Sequence, residues 1–191
     1  MDTAPIIILI SLESETMRRE RLKARFPKSY GTFNIIDAID KKKISSNDYF
    51  QPMMHTYKHM GKIISPAELG CALSHISAMQ HFLDSNHAHC LILEDDVMGT
   101  EEGLMTALDA ISRTVGDSIT FCGTHINRKH NKYPKKSAHK IKKINPLEKH
   151  FIAGAFSYGL TRSAAEKIIS KQKSMIYRAD HWMSLAKDLD I

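Results

Sequence analysis

Apolar and polar positions along this chain fall into blocks, and the blocks carry different periods. Residues 5–12, PIIILISL, form a run of mostly branched side chains unbroken until Ser11, the pattern of a strand buried on both faces. A charged segment follows from Ser14. In it Arg18, Arg21 and Arg25 recur at three and four residues, and Met17, Leu22 and Phe26 supply part of an apolar side, so the spacing predicts a helix with one cationic face. Residues 33–40, FNIIDAID, read as a second strand. From 41 to 62 the polar, aromatic and methionine residues follow neither the strand nor the helix period, which predicts a long loop of the kind that serves compact domains as a lid.

The stretch SPAELGCALSHISAMQHFL predicts a helix with a defined start: Ser65 as N-cap, Pro66 at the first helical position and Glu68 completing a capping box. Leu69, Ala72, Leu73, Ile76, Met79 and Leu83 fall on one stripe at about 100° per residue, with His75 on its shoulder and Ser74 nearly opposite. After the turn DSNHAH, residues 91–97 read LILEDDV, an apolar strand that ends in three carboxylates, Glu94, Asp95 and Asp96. A further amphipathic helix is predicted from Glu101 through Leu104, Ala107, Leu108, Ile111 and Val115, then a strand at 118–123. FIAGAFSYGL at 151–160 reads as a strand whose glycines allow close backbone approach, and Thr161 can cap a helix through SAAEKIISK. Strand and helix alternate without an internal repeat or linker, which predicts one α/β domain over 1–191 with a mainly parallel sheet flanked by helices.

Composition adds that a chain of 191 residues, 42% hydrophobic and 25% charged, can bury a sizeable core and is not disordered as a whole. No basic segment followed by a longer apolar one opens the chain, and the run at 6–12 is too short to span a bilayer, so nothing marks it for export. Cys71, Cys90 and Cys122 form no CxxC pair. They read as reduced, mostly packed thiols of a cytosolic protein, not as a zinc site or a disulfide framework. The net charge of +6 favours a polyanionic partner, whether nucleic acid, a membrane surface or a phosphorylated substrate. Lysines and arginines crowd residues 128–149, a segment with Tyr133, Pro134 and Pro146 and no apolar side, which predicts an exposed loop.

The acidic strand end is where chemistry is expected. In an open α/β sheet, ligands bind beyond the carboxyl ends of the strands. Three adjacent carboxylates repel one another, and a hard divalent cation held by two of them, with phosphate oxygens completing its shell, would remove that penalty. On an extended backbone Glu94 and Asp96 project to one side and Asp95 to the other. Taken alone, the triplet reads more readily as an acidic strand end, solvated or capping the next helix, than as a metal site.

The wider context decides. ELGCALSHISAMQHFL followed by CLILEDDV, with NIIDAID upstream and AGAFSYGLTRSAAEKI and ADHW downstream, resembles glycosyltransferase family 25, the bacterial lipooligosaccharide glycosyltransferases and related collagen sugar transferases. The resemblance spans most of the chain. Its most specific parts are Gly70, Cys71, Ser74 and His75 on the predicted helix and residues 93–96 on the strand. It implies a GT-A-type, Rossmann-like domain, a UDP-sugar donor, a divalent metal (Mn2+ or Mg2+) bridging the diphosphate, and inversion at the anomeric carbon. Carried across, Glu94 and Asp96 fall on the metal motif, with Glu94 and Asp95 also at the donor. Ser74 and His75 lie on the motif helix as donor-binding residues, and Asp180 takes the acidic position near the family's C-terminal aromatic. The family's first strand usually ends Asn-Leu-Asp-Arg. Here Ser11, Leu12, Glu13 and Ser14 stand in that place, and Ser11, Leu12 and Arg18 are carried as donor contacts, with Arg18 and Arg19 matching the basic residues that follow. Members usually continue for tens of residues past the match to 180–182, so the resemblance implies a domain short at its C-terminus.

The resulting expectation is a metal-dependent inverting glycosyltransferase that moves a hexose, galactose or glucose, from a UDP-sugar to a lipooligosaccharide or other glycan acceptor. It would work in the cytoplasm, with peripheral contact at an anionic inner membrane. Asp180 in RADHW is the expected general base, with capping of the helix HWMSLAKDL as its equal alternative, and the Trp182 ring would pack on a sugar face or in the core. Two other readings stay open: a catalytically inactive or truncated nucleotide-sugar-binding homologue, and a basic nucleic-acid-binding domain. Nucleic acid is not the expected partner, because the basic segment has few aromatics for stacking and no recognisable binding motif.

Overall fold

The computed structural model describes residues 4–122, 125–126, 144 and 152–190. The basic segment expected to be an exposed loop at 128–149 therefore lies, Ile144 apart, outside the described residues. Five strands form the central sheet in the order β2 (Asn34–Asp37), β1 (Ile6–Ser11), β3 (His89–Glu94), β7 (Ser157–Thr161), β4 (Ile119–Phe121), and a separate pair joins β5 (His125–Ile126) to β6 (Ile152–Ala153). β1 pairs in parallel with β2 and β3, whereas β7 runs against both β3 and β4. The sheet is thus mixed, parallel at the edge that matters below and reversed only at β7.

Burial on both faces explains the unbroken apolar runs. Ile6, Ile8 and Ile10 of β1 join Cys90 and Ile92 of β3 in one core, and Ile7 and Leu9 join Leu91 and Leu93 in the other. The first core is closed by α3 (Pro66–Asp84), α5 (Arg162–Ser174) and the short α6 (Trp182–Leu185); the second by α1 (Thr16–Arg25) and α4 (Glu101–Ser112). Helices on both faces of the sheet give the expected Rossmann-like domain. Gly159 is needed for this closure, since a Cβ there would sit 2.3 Å from Cγ1 of Ile111 on α4. Arg162 at the start of α5 donates to the carbonyls of Phe82, Ser85 and His87 and so caps the end of α3. No helix among the described residues is long and apolar enough to cross a membrane.

Three expectations are corrected. Much of the segment 41–62 is not a loop: after a 3-10 turn at Lys41–Lys43 it forms α2 (Ser46–Met60), which Ser45 caps by accepting from the Asp48 amide and Gly61 ends with a φ of +65°. Its period is obscured in the sequence because only Met53 and Thr56 are buried, while Phe50, Met54 and Tyr57 are exposed and Pro52 interrupts the middle. The α3 stripe is rotated from the predicted one. Its capping box is present, but Ser74, His75, Ala78 and Phe82 are buried where Leu73, Ile76 and Leu83 are only half-buried. α4 stops at Ser112, so Val115 lies past it and is 80% exposed.

Candidate functional site

From β1 the chain passes to β2 on one side and later returns to β3 on the other. The connections diverge there, so the carboxyl ends of β1 and β3 leave a crevice, the place where open α/β sheets bind ligands. A cavity of about 210 Å³ occupies it. β1 supplies Ser11 and Leu12, α1 supplies Arg18, α3 supplies Cys71, Ser74 and His75, and the end of β3 supplies Glu94, Asp95 and Asp96. Every predicted donor or metal position thus lines one cavity.

The three carboxylates do not alternate as an extended backbone would make them. β3 ends at Glu94 and the chain turns, which brings all three to the same crevice. Asp95 is anchored: its Oδ2 accepts from Ser11 Oγ at 2.9 Å and its Oδ1 from Arg18 Nη1 at 2.7 Å. That carboxylate holds the Arg18 guanidinium at the mouth and raises its pKa. Arg19 lies behind, donating from Nε to Ser11 Oγ at 3.1 Å and from Nη2 to the Ser11 carbonyl at 3.2 Å and to Asp37. Asp96 stands exposed on the rim, yet enough protein surrounds it that desolvation, followed by Glu94 and Asp95, raises its carboxyl above the usual range against the pull of Arg18.

Glu94 is held from inside. His75, 2% exposed, places Nε2 at 2.9 Å from Glu94 Oε1 and Nδ1 at 2.7 Å from the hydroxyl of Tyr158. An ionised carboxylate can only accept, so Nε2 carries the proton, and in the neutral ring Nδ1 accepts from Tyr158. Burial drives the Tyr158 pKa well upward, which keeps its proton in place for that bond. Ser74, 1% exposed, is equally committed: its hydroxyl accepts the Ile39 amide at 2.8 Å and donates to the Gly70 carbonyl at 2.7 Å. The Ile39 carbonyl lies where a Cβ on residue 70 would be only 2.6 Å away. Gly70 and Ser74 together therefore dock the segment after β2, which brings Ile39 and Lys41 to the cavity wall.

Asp180, the expected base, is not among the residues that line the crevice. Its charge helps raise the thiol of Cys71, an exposed residue and not a packed one, which desolvation by the surrounding protein first and then Glu94 and Asp180 push up to about 12. On its other side its Oδ1 pairs with Arg178 Nε at 3.7 Å. It does not cap by its side chain: α6 is only four residues long and its N-cap is His181, with no side-chain cap bond. Trp182 is not a sugar platform. It is 1% exposed, packs edge-on against Tyr158 and Phe121, and donates from Nε1 to the Gly154 carbonyl at 2.8 Å.

A family model described as glycosyltransferase family 25 (LPS biosynthesis protein) matches residues 4–183. The chain belongs to glycosyltransferase family 25. It is 23% identical over 172 residues to procollagen galactosyltransferase 2 of Mus musculus, covering 85% of this chain and 27% of that protein. Over 96 residues it is 28% identical to procollagen galactosyltransferase 1-B of Xenopus laevis, covering 48% of this chain and 16% of that one. It is 24% identical over 181 residues to inactive glycosyltransferase 25 family member 3 of Homo sapiens, covering 87% of this chain and 29% of the relative. The chain thus spans less than a third of the length of these curated relatives.

The donor set of this family 25 domain fits a hard cation at its rim. Asp96 is crowded by the charges of Glu94 and Asp95 and only partly offset by Arg18, and Glu94 has one oxygen beyond the one engaged by His75. Oxygen ligands beside a diphosphate suit Mn2+ or Mg2+. One ligand atom each from Cys71, His75 and Glu94 also lie within 4.8 Å of one another. Their protons are already committed to mutual contacts and the thiol is held neutral, so that inner group reads as a hydrogen-bonded brace. Two residues escape sequence reasoning: Lys41 sits in a segment that reads as loop, and Tyr158 gives no sign beyond a polar tip in an apolar strand.

Proposed function

We propose that this domain transfers a hexose from a UDP-sugar to a glycan acceptor, with inversion and with help from Mn2+ or Mg2+. The observation that carries the reading is the convergence, at the β1/β3 switch point, of an anchored cation, Arg18 on Asp95, with a charge-crowded Asp96 and a braced Glu94. Asp96 and the outer oxygen of Glu94 would hold the metal, which when bound supplies charge neutralisation of the departing diphosphate. Arg18 adds a second positive charge at the mouth, fixed in advance and so costing little reorganisation. As the acceptor oxygen bonds to the anomeric carbon, the bond from that carbon to the donor phosphate breaks. Asp180 takes the hydroxyl proton.

The names of the relatives support galactose as the sugar, and the family's description supports a lipopolysaccharide or lipooligosaccharide acceptor. An acceptor of that kind implies work at the cytoplasmic face of an inner membrane, with peripheral contact to anionic lipid. A reading without turnover, binding of nucleotide sugar only, is favoured by one observation, the similarity to a relative named inactive. A transfer assay separates the two: UDP-galactose and UDP-glucose are offered with Mn2+ and a panel of glycan acceptors, and products are followed by mass spectrometry. Transfer of a single hexose supports the enzyme. Absence of both UDP release and glycan product, although UDP binds, supports the binding homologue.

A further inference from the structure

A second cavity, about 290 Å³, opens across the first turn of α3 from the donor crevice, close to the small end of ligand pockets at about 300 Å³. Its walls are tied together by the chain. His55 of α2 bonds the Ser174 carbonyl through Nε2 at 2.7 Å, Thr56 reaches the Ile176 carbonyl, and Tyr49 donates to the Ile64 carbonyl at 2.7 Å. The buried Gln172 holds Tyr177 by its backbone, accepting its amide at 2.8 Å and donating to its carbonyl at 3.2 Å. Tyr177 then stacks on His181, with centroids 5.6 Å apart and planes 6° from parallel. Both rings line the cavity together with Ile63, Ile64, Glu68 and Arg178.

We infer that this cavity is the acceptor subsite and receives a single neutral pyranose ring of the glycan; the inference rests on the proposed transfer. Three observations carry it. The cavity adjoins the donor crevice across one turn of α3, where Ala67 and Cys71 line the crevice and Glu68 lines the cavity, and Arg178 on the cavity wall pairs with Asp180. Its charges balance, Arg178 lying 3.6 Å from Glu68 and 3.7 Å from Asp180 with Lys62 on the wall as the second cation against these two carboxylates, which leaves acceptors and donors for hydroxyls but little net charge to attract an ionic ligand. Finally, Nδ1 of His181 is buried without a hydrogen-bond partner among the described residues. Such orphans are rare in folded proteins, and the residue that carries this one is part of the cavity wall. The stacking surface expected of Trp182 is thus supplied by Tyr177 and His181, while Trp182 is core.

The test uses isoleucine-methyl NMR on the full chain with methyl β-galactoside, methyl α-glucoside and methyl α-mannoside. Each is taken to about 50 mM, well above the roughly millimolar Kd that a ligand of this size reaches. At least one glycoside is expected to shift Ile63, Ile64 and Ile176 saturably while leaving Ile10 and Ile39 of the donor crevice unmoved. Tyr177→Ala should weaken that binding about tenfold or more and Tyr177→Phe by less than about threefold, because the ring face does the stacking. His181→Ala serves as a second variant if Tyr177→Ala does not fold, and should weaken binding at least about threefold. No saturable shift at Ile63, Ile64 or Ile176 with any glycoside overturns the subsite, as does unchanged affinity in folded Tyr177→Ala or His181→Ala. UDP with Mn2+ is titrated in parallel and should move Ile10 and Ile39; its failure to do so would count against the donor reading alone.

Discussion

His75 and Glu94 meet at 2.9 Å where β3 leaves the sheet, and the same imidazole bonds the buried Tyr158 hydroxyl at 2.7 Å behind it. A half-exposed carboxylate is thereby tied into the core through a two-bond chain. His75→Ala leaves the Tyr158 hydroxyl buried and unpaired, so it should lower stability by about 1–3 kcal/mol. Adding Tyr158→Phe should recover part of that loss, since the orphan is then removed. Urea denaturation of the two single mutants and the double mutant checks this; strict additivity would show that the two side chains do not form one unit.

Asp96 gives a pH signature in the metal-free protein. Its folded pKa is raised above the usual aspartate value of 3.8. Between the unfolded and folded values the native state therefore binds more protons, so Asp96 contributes stability below that window and loses it as pH rises through it. Glu68, Asp117 and Asp188 are shifted downward and contribute the opposite slope. The expected result is a difference curve: relative to wild type, Asp96→Asn gains stability as pH rises from the unfolded to the folded value, and melting curves across acidic pH would show it. A flat difference would mean that the crowding is relieved in solution.

Asp180→Asn separates catalysis from structure. The side chain caps no helix and its partner Arg178 is 48% exposed, so the pair is worth under about 1 kcal/mol and the melting temperature should stay close to wild type. Loss of a general base should reduce transfer by about 10² to 10⁴. Near-normal transfer would leave the base elsewhere.

Gly70→Ala tests the dock between α3 and the cavity wall. Its Cβ would meet the Ile39 carbonyl at 2.6 Å, a backbone atom that cannot swing aside, whereas a Cβ on Gly31 would have nothing within 4 Å. Gly70→Ala should cost about 1–3 kcal/mol and weaken UDP binding by displacing Ile39 and Lys41; Gly31→Ala should leave UDP affinity unchanged. Equal behaviour of the two variants would contradict the docking role.

Local chemistry is legible in the sequence where one residue type allows one arrangement. Ser65 and Glu68 specify the start of α3, Thr161 caps α5, and the doubly buried β1 and β3 follow from their unbroken apolar runs. What stays hidden depends on partners distant in sequence. Ser74 reads as polar and outward until the Ile39 amide and Gly70 carbonyl are beside it. Asp95 turns inward because β3 ends one residue before it, a boundary no alternation rule supplies. Trp182 and Tyr177 are both aromatic residues near Asp180, and only packing decides that the first is core and the second lines a cavity.

The most direct measurement is calorimetric titration of UDP into the wild type and Asp96→Asn, with and without Mn2+, alongside melting curves of both proteins. The crevice predicts that Mn2+ tightens UDP binding to the wild type by at least about tenfold, or about 1.4 kcal/mol, and that Asp96→Asn loses most of this gain while keeping its fold. UDP affinity that is the same with and without Mn2+, or a full metal effect retained in Asp96→Asn, would contradict it.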